Sequence, residues 1–152
     1  MVIDIGKKAE TQNAALLPFE GLLGEWTTTG THPAIPNAVL HGKASFAWEN
    51  GGAFLIWRSE IEHLQFPAGV AIFGSDDDAG IWWLTYFDER GVSRKYEIKL
   101  RPDGFIMERL TPKFSQRMTF TIEEDRIVSR GEMSRDGGAW EGDLSLTYDR
   151  VK

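Results

Sequence analysis

From Glu25 onward the chain alternates apolar and polar residues with a period of two, broken at short, regular intervals by turn-forming clusters. Such alternation places successive side chains on opposite faces of a strand, one dry and one wet. The breaks are Asn50-Gly51-Gly52, Asp77-Asp78-Ala79-Gly80, Glu89-Arg90-Gly91, Pro102-Asp103-Gly104, Glu124-Asp125 and Asp136-Gly137-Gly138. Between them the pattern predicts ten strands, at 25–31, 39–49, 53–62, 69–76, 81–87, 92–101, 105–110, 116–123, 127–135 and 139–150. Ahead of these, Pro18 fits the first position of a short helix over 18–23, and Gly24 fits its left-handed stop. Many short strands joined by tight turns predict an all-β fold. The expected architecture is a closed up-and-down antiparallel barrel of about ten strands over residues 18–152, with a short helical plug behind a polar arm over residues 1–17.

Turn chemistry then assigns faces. A two-residue Asn50-Gly51 turn sets Trp48 against Ala53, Phe46 against Leu55 and Ala44 against Trp57, all apolar, so that face is inside. An Asp136-Gly137 turn sets Met133 against Trp140 and directs Trp140, Gly142, Leu144, Leu146 and Tyr148 inward, with Glu141 and Asp143 in water. A three-residue loop ending at Gly91 pairs Tyr86 with Arg94, Leu84 with Tyr96 and Trp82 with Ile98, so Arg94 faces inward. A similar loop at Pro102-Asp103-Gly104 turns Ile106, Glu108 and Leu110 inward. A slip of one residue in any of these registers would exchange the two faces.

Composition narrows the function. The chain has 152 residues, enough for one domain with a sizeable core. Its formal charge of −6 argues against nucleic acid or an anionic membrane as partner. It has no cysteine, which removes disulfides, thiolate nucleophiles and cysteine-bound metals. No apolar run has the length of a signal peptide or a membrane span, so the expected location is the cytoplasm.

Ten antiparallel strands begin and end at the same end of a barrel. Trp26 opens the first strand and Arg150 closes the last, so barrel closure stacks guanidinium on indole, and Gly24 lets the helical turn pass beneath. Gly24-x-Trp26 with a terminal Arg150 resembles the calycin pattern of lipocalin-like barrels. Gly30, Pro33 and Ile35, with His32 at a tyrosine position, resemble the ten-stranded branch of nitrobindin-like and bacterial lipocalin-like proteins. The segments YFDERGVSRKYE, 86–97, and FSQR, 114–117, resemble its bacterial members. The resemblance implies a barrel that holds a small molecule. Nitrobindin-like proteins hold haem through a histidine in the C-terminal part of the barrel, and this chain has no histidine after His63. The expected cofactor set is therefore empty.

Ten strands leave an internal cavity unless bulky groups fill it. The expected ligand is small and apolar or amphipathic. Its apolar body would lie against Trp57 and Trp140 beside Ser59, and Arg94, with Tyr86 at the mouth, would orient a carboxylate. Tyr96 and Glu108 are the other internal partners open to Arg94, an Arg94–Glu108 ion pair being the structural alternative. His32, His41 and His63 fall at the end opposite Trp26, the expected mouth, without a metal-ligand spacing. There is no Gly-x-Ser-x-Gly elbow, so catalysis would rest on acid–base work by Glu108 or a rim histidine, or on Glu108, Arg94 or Tyr86 acting on a bound substrate. A third possibility is an interaction module with an inert interior. The outward rows Phe54, Ile56 and Ile81, Trp83, Thr85, Phe87, with Ala71 and Phe73 of strand 69–76 between them, predict a homodimer through strands 53–62, 69–76 and 81–87.

Overall fold

The computed structural model describes residues 5–152. A 3-10 helix over Ala14–Leu22 precedes ten strands: β1 Gly24–Thr31, β2 Leu40–Glu49, β3 Phe54–Ile61, β4 Gly69–Asp76, β5 Ile81–Asp88, β6 Ser93–Arg101, β7 Gly104–Arg109, β8 Phe114–Ile122, β9 Arg126–Arg135 and β10 Glu141–Arg150. Each strand pairs antiparallel with its chain neighbour, and β1 pairs with β10, so the sheet is a closed up-and-down barrel. Closure leaves no unpaired edge to recruit another strand. Among the described residues no helix is long and apolar enough to cross a membrane.

The closing seam is Trp26 opposite Arg150. The Arg150 guanidinium lies 4.2 Å above the Trp26 ring, and Trp26 is wholly buried. That guanidinium also donates to the carbonyls of Leu23, Gly21 and Glu124 and meets the Asp125 carboxylate at 3.2 Å. It thereby satisfies helix C-terminal carbonyls that have no partner within the helix. The Trp26 indole donates to the Leu22 carbonyl at 2.8 Å, and the Trp82 indole donates to the Ala15 carbonyl at 2.7 Å. The helix is thus bolted across one end of the barrel, with Leu16, Phe19 and Leu22 fully buried beneath it. Gly24 sits at φ +123°, and a Cβ there would come within 2.8 Å of Arg150 Nη1. Only glycine meets both demands.

The helix is longer than the pattern predicts. It starts at Ala14 rather than Pro18, capped by the Asn13 side chain, which accepts from the Ala15 N–H, and Pro18 lies inside it. Asn13 also reaches across to the β2–β3 loop, where its backbone N–H donates to Gly52 O at 2.7 Å and its amide to Ala53 O at 3.2 Å. This grip accompanies a wider loop than a two-residue turn. Phe46 pairs with Trp57 and Ala44 with Ser59, two residues beyond the expected register. A shift of two preserves the faces, so the buried row survives. The Gly91 corner has the expected pairs, Tyr86 with Arg94 and Leu84 with Tyr96.

Two registers differ in parity. Arg101 pairs with Gly104, so Pro102-Asp103 is a two-residue turn and not part of a three-residue loop. Phe105 and Met107 therefore turn inward, while Glu108 turns outward. Gly104 serves close approach: a Cβ there would lie 1.9 Å from the Phe120 carbonyl oxygen. On β10 a bulge falls between Gly142 and Ser145. Leu146 and Tyr148 beyond it face inward as expected, whereas Trp140 before it stacks on Arg117 at 4.0 Å and Asp143 within it turns to the interior.

Arg150→Lys keeps the charge but loses the planar fork that serves several carbonyls. It should lower unfolding stability by about 1–3 kcal/mol in urea titrations, leaving the far-ultraviolet spectrum unchanged.

Candidate functional site

The barrel is packed at one end and hollow at the other. Next to the plug, Phe105 stacks on Phe120 at 4.6 Å, Phe19 meets Phe73 at 5.1 Å, and Phe46 stacks on Trp57 at 5.2 Å. Beyond this aromatic layer lies a cavity of about 660 Å³. Its size suits a small organic molecule. Its apolar wall includes Met107, Met118, Met133, Leu144 and Leu146. Every methionine after Met1 is among them. Methionine side chains adapt readily to irregular guests. Trp57 closes the inner end, and its indole N–H is buried without a hydrogen-bond partner among the described residues.

Two loops frame the mouth. His32 to Ile35 come from the β1–β2 connection and Gln65 to Pro67 from the β3–β4 connection. They meet at Phe66, whose ring is edge-on to His32 at 5.7 Å and to His63 at 5.5 Å. His32 Nδ1 accepts the Ala34 N–H at 3.0 Å. Its Nε2 lies 3.0 Å from Asp143 Oδ1. A ring that accepts at Nδ1 carries its proton at Nε2, so His32 donates to Asp143.

From Asp143 a polar chain runs into the cavity. Gln116 Nε2 donates to Asp143 Oδ2 at 3.0 Å. Gln116 Oε1 accepts from both Arg94 Nη1 and the Tyr96 hydroxyl, each at 2.8 Å. Arg94 also lies 5.1 Å over the Phe114 ring. No carboxylate among the described residues stands within ion-pair distance of Arg94, and none stands so near Arg135, which also lines the cavity. Burial raises the Tyr96 phenol above its ordinary value, with Arg94 opposing, so it stays a protonated donor. Gln116 and Asp143 are cavity residues beyond those the sequence reading names. Gln116 shares the inward parity of Met118 two residues on, and Gly142 within a strand is the available sign of a bulge.

The expected site residues divide in two. Trp57, Ser59, Tyr86, Arg94 and Tyr96 all line the cavity. Glu108 does not: it is on the outer surface, paired with Lys99 at 2.7 Å, because the β6–β7 turn is one residue shorter than expected. Trp140 is also outside, against Arg117, because the β10 bulge reverses its parity. Arg117 itself is held by Glu132 at 3.0 Å. Arg94 therefore has no internal salt bridge with Glu108. Nor is Tyr86 free to assist Arg94, since its hydroxyl donates to Asp88 Oδ2 at 2.8 Å. His41 is exposed on β2, and no three histidine, aspartate or glutamate side chains among the described residues gather as a metal-ligating group. A second, shallow groove of about 760 Å³ crosses the outside of the sheet near Lys43, Arg58, Glu60 and Phe87. It is open to water, and its Lys43–Glu60 pair is solvent-exposed, so it offers far weaker desolvation than the barrel interior.

Tyr86, Asp88 and Arg90 form a tie at the rim. Arg90 donates to Asp88 through Nε and Nη2, the latter at 2.6 Å, and its backbone N–H donates at 2.9 Å. The Arg90 hydrogen bonds, chiefly, hold the Asp88 carboxyl at about 2, below its ordinary 3.8. Burial, then the Asp88 hydrogen bond, raises the Tyr86 phenol. A depressed carboxyl stabilises the fold above its unfolded value and loses that contribution as pH falls through its folded value. Asp88→Asn should thus cost about 1–3 kcal/mol at pH 7. In denaturant titrations the gap from wild type should begin to close below about pH 4 and vanish towards pH 2.

No protein-family profile matches the chain, and no curated protein sequence matches it. Among solved structures, the crystal structure of Rv2717c from M. tuberculosis is similar at a TM-score of 0.66 and 16% identity, the alignment covering 93% of this chain and 99% of that one. The likeness is one of fold, and it spans the whole barrel.

Proposed function

We propose that the protein is a lipocalin-like binding protein that takes a small amphipathic anion into the mouth-side half of the barrel. The observation that carries this reading is a large apolar cavity that holds the Arg94 guanidinium without a carboxylate partner among the described residues. A half-buried cation faced by a neutral amide, a phenol and the Phe114 ring, with no carboxylate in ion-pair distance among the described residues, is undercompensated, and a ligand anion completes it. The methionine wall and Trp57 would hold the apolar body. Arg135 at the same cavity adds a second positive charge in a chain whose formal charge is −6. Binding is favoured over catalysis because Glu108, the carboxyl expected to do acid–base work, lies outside the barrel, and the Tyr86 phenol is engaged by Asp88.

An amphipathic carboxylate such as decanoate is a suitable probe. Arg94→Met should weaken decanoate binding about tenfold or more in isothermal titration while costing little stability. Unchanged affinity would defeat the reading.

A second proposal concerns the outer surface. Ala71 and Phe73 point inward, not outward as expected, and Val70 and Ile72 take their places. Ile56 then neighbours Ile72, and Val70 neighbours Phe87, which is 43% exposed. This apolar row supports a two-fold homodimer across β3, β4 and β5. Light scattering at micromolar concentration should give twice the 17.2 kDa chain mass, and Ile72→Asp should halve it.

A further inference from the structure

We propose that Gln116 is an internal stand-in for the ligand's head group, and that its carboxamide sets the barrel's preference for anions over neutral amphiphiles. The inference rests on the binding reading above and names the residue that enforces it. Gln116 projects inward from β8, between Arg109 of β7 and Met133 of β9. Its two amide ends have opposite partners. The oxygen accepts from Arg94 and Tyr96 at 2.8 Å each, and the nitrogen donates to Asp143 at 3.0 Å. Two donors at one end and a carboxylate at the other fix which end is oxygen. The point on which Arg94 and Tyr96 converge is thus occupied by an acceptor that belongs to the protein.

That arrangement makes head-group capture an exchange. An alcohol or an ester carbonyl replaces one neutral acceptor by another and gains little. A carboxylate replaces it by charged oxygens that engage a guanidinium through two parallel bonds, and charge-assisted bonds are roughly twice as strong as neutral ones. The competition therefore subtracts a similar amount from every guest, and only an anion exceeds it. The Asp143 side of Gln116 supplies the second half of the device. Asp143 is a negative group near the same site, held by His32 from the β1–β2 loop. By keeping its N–H groups on Asp143 after its oxygen is displaced, Gln116 separates the incoming anion from that carboxylate. Like charges in direct contact would oppose binding.

The test uses the full chain with decanoate and 1-decanol as paired probes, comparing wild type with Gln116→Met, Gln116→Glu and Arg94→Met. Gln116→Met removes the competing acceptor for both guests and with it the screen against Asp143, so the decanoate-to-decanol affinity ratio should fall by about fivefold. Gln116→Glu supplies a permanent anion to Arg94, and the same ratio should fall by about tenfold or more. Thermal melts confirm that each variant is folded; if Gln116→Glu does not fold, Gln116→Met decides alone. A Gln116→Met ratio that stays level or rises overturns the proposal. If Arg94→Met also leaves decanoate binding unchanged, the binding reading has failed with it. If Arg94→Met weakens decanoate while Gln116→Met leaves the ratio level, only the stand-in role is lost.

Discussion

Everything in this molecule depends on bringing the first strand against the last. A ten-stranded meander that fails to close has two raw edges and no inside. The seam is secured by one guanidinium that does several things at once. Arg150 covers Trp26, donates its N–H groups to the carbonyls at the helix end and to that of Glu124, and pairs with Asp125. These contacts come from three parts of the chain: the helix end, the first strand and the β8–β9 turn. The contacts it makes are all long-range in sequence, so they are absent until the whole sheet has formed. Closure is in this sense the last event to be rewarded and the one that makes interior and exterior distinct.

Much of this was legible from the residues. Apolar alternation located all ten strands because a strand buried on one face cannot tolerate the opposite pattern. The Gly91 corner was readable because a left-handed glycine, at φ +80°, terminates a three-residue loop. Reading failed where a turn's chemistry was compatible with two lengths. Pro102-Asp103-Gly104 looks like a loop ending in a left-handed glycine, yet Gly104 is present for contact with β8. That ambiguity of one residue moved Glu108 from inside to outside. At Asn50 an equal uncertainty was harmless because the loop grew by two. The size of that loop is tied to Asn13, thirty-nine residues before Gly52 and beyond the reach of any local rule.

The same bulge that misled the parity of Trp140 builds the polar chain of the cavity. An extra residue on β10 aims Asp143 inward beside Leu144, so one strand contributes both a charge and an apolar surface at the same level. Asp143 then connects a mouth loop, through His32, to Gln116 on the opposite side of the closing strands. Sequence position alone would not join these groups, since His32 and Asp143 are 111 residues apart. The cavity's chemistry is thus a product of sheet closure and of a local defect in the sheet, in that order.

The division of the barrel into a solid half and a hollow half has an evolutionary consequence. Cooperative folding draws on the aromatic layer around Phe19, Phe73 and Phe105, together with the helix that caps it. The residues that line the cavity sit on the far side of that layer and contribute less to it. Drift among the cavity methionines or the two mouth loops can therefore reshape the hollow half while the scaffold persists. Descendants of such a chain are free to diverge in the lining of their interior long before they diverge in shape.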